Sequence, residues 1–144
     1  MADARALKTI ADNYSLKTDL PKTILDHWKG AATTVSNDTV TELYNFELTE
    51  PGCYLIVMYV NFPVVANQTG VRGCICAEDI SKPSLLVTAN DFIKIPASST
   101  TNTVINAVRI WNAESPTTMH FMAWQNSSAS IANVRYMLNL VKIV

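Results

Sequence analysis

The side chains able to do chemistry in this chain are few and scattered. Two histidines, His27 and His120, stand far apart, so neither finds the second imidazole that a zinc site or a catalytic triad needs. Cys74-x-Cys76 has the spacing of two residues on one face of a strand rather than of a metal-binding loop, and with Cys53 the thiols number three. Reduced thiols packed in a core are the reading for all three. Glu78, Asp79 and Asp91 fall near expected strand ends, but a calcium site takes six to eight oxygens and no dense Asp/Asn loop supplies them. The four glycines, at 30, 52, 70 and 73, form no phosphate-cradling loop. Trp28, Trp111 and Trp124 have faces on which sugars can stack, and core or interface packing is the preferred reading for the two in strands. No enzyme activity, cofactor or metal is expected.

Those residues must be positioned by elements, and the elements change character once along the chain. Leu7, Ile10, Ala11 and Tyr14 recur at one-face helical spacing, with Asp3 placed to cap the start. Pro21 suits the first turn of a second short helix running to about Lys29, with Leu20, Ile24, Leu25 and Trp28 apolar and Gly30 as its terminator. Residues 1–30 therefore read as a helical anchor segment and 31–144 as a head domain. From Ala31 the texture is Thr, Val, Ile, Tyr and Phe in short runs broken by Asn, Ser, Pro and Gly. Strands are expected near 39–48, 53–62, 70–78, 83–89, 91–95, 102–112, 117–125 and 133–143. Eight strands without βαβ alternation predict an all-β jelly-roll sandwich of two antiparallel sheets.

One of those strands constrains the assembly. In Pro51-Gly-Cys-Tyr-Leu-Ile-Val-Met-Tyr-Val-Asn-Phe62, period-two alternation puts Tyr54, Ile56, Met58, Val60 and Phe62 on one face and Cys53, Leu55, Val57 and Tyr59 on the other. Both faces are apolar, so each needs a cover. Composition agrees: 49% of the 144 residues are hydrophobic and only 16% charged, which predicts that part of the surface is covered by a partner. Eleven basic against twelve acidic residues, with no run of either sign, argue against nucleic acid. The N-terminus lacks an apolar stretch of signal-peptide length and no segment has the length of a membrane span, so synthesis in a cytoplasm is expected, without export by that route or membrane insertion.

Here the strand becomes recognisable. Together with the preceding Phe46-Glu-Leu48-Thr-Glu-Pro51-Gly52 and the following Gly70-Val-Arg72, it resembles the central strand of the tumour-necrosis-factor-like jelly roll, the fold of complement globular heads. The segment Met119-His-Phe-Met-Ala-Trp-Gln125-Asn-Ser-Ser, with the closing apolar strand Val134 to Val144, is similar to the version at the tips of bacteriophage fibres and appendages. The resemblance covers about Thr39 to Val144. It implies a homotrimer in which Leu55, Val57 and Tyr59 face neighbouring subunits. With no collagen-like repeat or secretion signal, the resemblance points to a virion-surface protein assembled in a bacterial host cytoplasm: a head fibre, decoration protein or fibre tip. The anchor, through Leu7, Ile10, Tyr14, Leu20 and Trp28, would join a capsid or tail protein, and the far loops would meet a host-surface glycan or protein. A bacterial trimeric carbohydrate-binding or lectin-like module is the alternative.

Overall fold

The computed structural model describes residues 22–65, 69–81 and 91–143, with side chains from residue 33 onward. Eight strands run through them: β1 (Lys22–Val35), β2 (Thr41–Leu48), β3 (Gly52–Phe62), β4 (Val71–Ala77), β5 (Ile93–Pro96), β6 (Thr103–Ala113), β7 (Thr117–Gln125) and β8 (Ile131–Lys142). They form two four-stranded sheets in the orders β1-β8-β3-β6 and β2-β7-β4-β5, and every strand pairing is antiparallel. Each connection except β4 to β5 crosses from one sheet to the other. This is the wiring of a jelly-roll sandwich.

Alternation builds the core between the sheets. From the first sheet come Tyr54, Ile56, Met58, Val60, Phe62, Ile105, Tyr136, Leu138 and Leu140; from the second come Phe46, Leu48, Cys74, Cys76, Met119, Phe121 and Ala123. Phe121 and Tyr136 meet across the gap edge to face, with ring centres 5.9 Å apart. Burial pushes the Cys74 and Cys76 thiols up to about 12, so both stay protonated near neutrality as small core hydrophobes. Gln125, fully buried, spends its amide on the carbonyls of Val35 and Ala129 and accepts from the Ser127 N–H and hydroxyl. That amide therefore fixes the 126–130 link while leaving none of its own polar groups unmatched.

The expected helix between Pro21 and Lys29 is not formed: Lys22 to Lys29 is the first part of β1. Helical spacing of Leu20, Ile24, Leu25 and Trp28 lost to tertiary pairing, because β8 offers a row of backbone donors and acceptors from Ile131 to Lys142 that a strand can satisfy and a helix cannot. Gly30, read as a helix terminator, instead falls where the β1–β8 register slips between Lys29 and Thr33, as a bulge requires. The division at residue 30 consequently cuts through β1. The helix expected around Leu7 to Tyr14, and the strand expected at 83–89, lie outside the described residues. Other strand expectations lie within about two residues of the observed ends, the ordinary disagreement between boundary definitions.

Candidate subunit interface

β3 sits between β8 and β6, so its outward side chains form the centre of a continuous face. Register sets them in rows: Ile110, Leu55 and Val141; Val108, Val57 and Asn139; Asn106, Tyr59 and Met137; Val104, Asn61 and Arg135. The face is apolar at the Ile110 end and grows polar toward Arg135. Leu55, Val57 and Tyr59 are half-buried, on the side opposite the fully buried Tyr54, Ile56, Met58 and Val60. Here the expected division of β3 into two faces is what the structure shows. The most open apolar residues, Val108 at 61% exposed and Ile110 at 63%, lie one strand over on β6, with Val104 of the same strand at 38%. Since β6 ends the sheet, these residues combine an apolar face with an edge.

The sequence reading had not placed β6, β8 and β3 together. Its signal was nevertheless present, because Thr103 to Ala113 alternates as β3 does, with Val104, Val108 and Ile110 on one side and Ile105, Ala107 and Trp111 on the other. Of the residues expected to form the anchor, Leu7, Ile10, Tyr14 and Leu20 lie outside the described residues, and Trp28 lies in β1 opposite Met137.

Polar groups border the face. Asn61 donates to the Tyr59 hydroxyl at 3.3 Å, while its own carbonyl oxygen is buried with no partner among the described residues. Asn61 also lines a cavity of about 250 Å³ with Pro63, Asn102, Asn133 and Arg135. Asn102 is held by the Val64 N–H at 2.9 Å, which ties the start of β6 to the end of β3. The neighbouring loop from Pro96 to Asn102 organises itself around Ser98, whose hydroxyl oxygen accepts from the Thr100 and Thr101 amides and from the Thr101 hydroxyl.

The outward side of the other sheet is different. Ile75, Ala77, Met122 and Trp124 are buried there as a second apolar cluster beneath Phe92, whose ring meets Trp124 edge to face at 6.3 Å. Glycine at position 73 permits that cover: a Cβ would stand 2.2 Å from the Phe92 ring and 2.9 Å from the Ile93 carbonyl oxygen. Beside this cluster His120 Nδ1 bonds Glu42 Oε2, and the other Glu42 oxygen accepts from the Asn45 amide at 3.0 Å. Those two hydrogen bonds, the Asn45 one foremost, hold the Glu42 carboxyl below its ordinary value of 4.5 against the opposing effect of burial.

The described residues thus form an eight-stranded antiparallel β-sandwich, among which one outer face is closed and one open. No family model matches the sequence, and no curated protein matches it. Among solved structures it is similar to PRD1 vertex protein P5, with 14% identity and a TM-score of 0.53, over 85% of this chain and 97% of that one. At that identity the likeness is one of fold.

Proposed function

We propose that this chain is a structural subunit of a bacteriophage virion: a short, homotrimeric surface appendage of the tumour-necrosis-factor-like type, taking part in host attachment and without enzymatic activity. The observation that carries it is the open outer face. Leu55, Val57 and Tyr59 at its centre, flanked by Val108 and Ile110, present an apolar surface of the kind that monomers keep small. Three copies packed around a threefold axis would cover it. Burying what Val108 and Ile110 still expose would contribute about 1–2 kcal/mol each per subunit. The name of the structural neighbour, a phage vertex protein, supports a place on a virion. The anchor in this reading is the segment before β1, with Leu7, Ile10, Tyr14 and Leu20, and its partner a capsid or tail protein.

Sedimentation equilibrium tests the assembly: the expected mass is three times 15.9 kDa. A monomer at micromolar concentration would remove the threefold model. Deleting residues 1–20 spares β1 and is expected to leave a folded trimer that no longer joins the virion; undiminished incorporation would refute the anchor.

A further inference from the structure

At the Ile110 end of the sandwich, where β6 turns into β7, lies a second cavity of about 230 Å³ lined by Trp111, Asn112, Glu114, Ser115, Thr117 and, from the end of β4, Glu78. The structure gives it four properties that belong together. Its apolar wall is a half-buried indole that also packs against the main core. That indole is held in place: the Arg109 guanidinium stacks on it at 4.7 Å and is itself fixed by Asp91 at 2.9 Å and by the Cys76 carbonyl. Arg109 is not among the residues that line the cavity. The remaining wall is rich in acceptors, with two carboxylates, an amide and two hydroxyls, of which Thr117 donates to the Ser115 carbonyl at 2.9 Å and keeps its lone pairs.

We infer that this cavity binds a single neutral sugar ring, a pyranoside. An aromatic face takes the C–H side of a pyranose, and carboxylates accept from its hydroxyls through charge-assisted bonds. The cavity is smaller than the roughly 300–1,000 Å³ of drug-sized sites, which suits one ring with its chain continuing into solvent. Two carboxylates and no lining cation exclude acidic sugars and phosphate esters. Since Arg109 pre-sets the indole, binding does not have to order it. The cavity lies at the end of the sandwich where β1 begins, in the row Lys22, Lys142, Tyr54 and Trp111, so the binding stands apart from the attachment given to the far loops and from assembly.

The test is a nuclear magnetic resonance titration of the intact protein with the methyl glycosides of glucose, galactose, mannose and N-acetylglucosamine. Expected is saturable movement of the Trp111 indole N–H and the Glu114 and Ser115 amides with at least one of them, with a Kd on the order of 1–10 mM for so open a site. Glu114→Gln, an exposed change that spares folding, should weaken binding about fivefold or more, as a lost charge-assisted bond does, and Trp111→Leu should abolish it. No movement with any of the four up to about 50 mM would overturn the site. So would movement that survives both Glu114→Gln and Glu78→Gln unchanged, or saturation of the same resonances by calcium chloride with no response to sugar. The mass of the same sample reports on the trimer separately.

Discussion

The two outer faces of this sandwich solve one problem in opposite ways. Both sheets carry strands that are apolar on two sides, and each therefore has an outward face that water disfavours. Over β4 and β7 the chain covers itself: Phe92 closes on Ile75, Met122 and Trp124, and the nearby polar groups pair among themselves. Over β3 and β6 the described residues include no such cover, and Val108 and Ile110 stay largely open. The contrast teaches that an apolar strand face identifies a need for burial without saying who meets it. Position in the sheet does not discriminate, because both sheets end in edge strands; exposure does, with Val108 and Ile110 largely open and Ile75 and Met122 buried.

The sharpest way to break the comparison is to charge the open face. Tyr59→Glu places a carboxylate at the centre of the proposed interface, where an unpaired buried charge costs several kcal/mol and is repeated in each of three subunits. Loss of the trimer by sedimentation is expected. Val108→Asp is the cleaner companion: the residue is already 61% exposed, so the protomer should keep its stability to within about 0.5 kcal/mol while assembly weakens. A trimer that survives both would show that this face is not the shared one.

Opening the closed face should instead act on folding and leave assembly alone. Phe92 is 6% exposed, and Phe92→Ala would uncover the Trp124 cluster at a cost of about 3 kcal/mol, read by denaturant unfolding. Gly73→Ala attacks the same contact from below. Its methyl would collide with the ring 2.2 Å away and the Ile93 carbonyl 2.9 Å away, for about 1–3 kcal/mol. The carbonyl cannot retreat without moving β5, whereas the ring can be shortened. Phe92→Leu should therefore recover part of the Gly73→Ala loss, and a strictly additive pair would place the strain elsewhere.

Legibility from sequence followed the same divide. The faces of β3 were readable because one uninterrupted run of eleven residues carries its own alternation. The self-closed cluster was not, since it joins Ile75, Phe92 and Met122 across three segments and its one local sign is the small residue at Gly73. β1 was misread as helical between Pro21 and Lys29 because Leu20, Ile24, Leu25 and Trp28 fit one helical stripe, whereas strand alternation puts Leu25 on the opposite face from the other three, and only the presence of β8 alongside decides. Trp111 shows the limit for sites. Its type was noted as a possible sugar platform and assigned to packing, which its contact with the main core bears out, and the carboxylates that line the cavity with it come from just after β4 and from the β6–β7 turn. Sequence distance hides Glu78 from Glu114.

The smallest effect concerns the polar trio beside the closed cluster. Because hydrogen bonds from Asn45 and His120 depress the Glu42 carboxyl, its contribution to stability is fully present above the unfolded value of about 4.5 and is lost as the pH falls through the lower folded one. Glu42 remains partly exposed, so solvent screening limits that contribution to less than about 0.5 kcal/mol. Measured by unfolding across the acid range, the stability difference between the protein and Glu42→Gln should be constant above pH ~5 and shrink toward pH ~3. If the difference instead widened on acidification, the carboxyl would be raised rather than lowered, and the closed face would hold an unsatisfied charge. The self-sufficiency that distinguishes it from the open face would then fail at its polar end, even with the Phe92 cover intact.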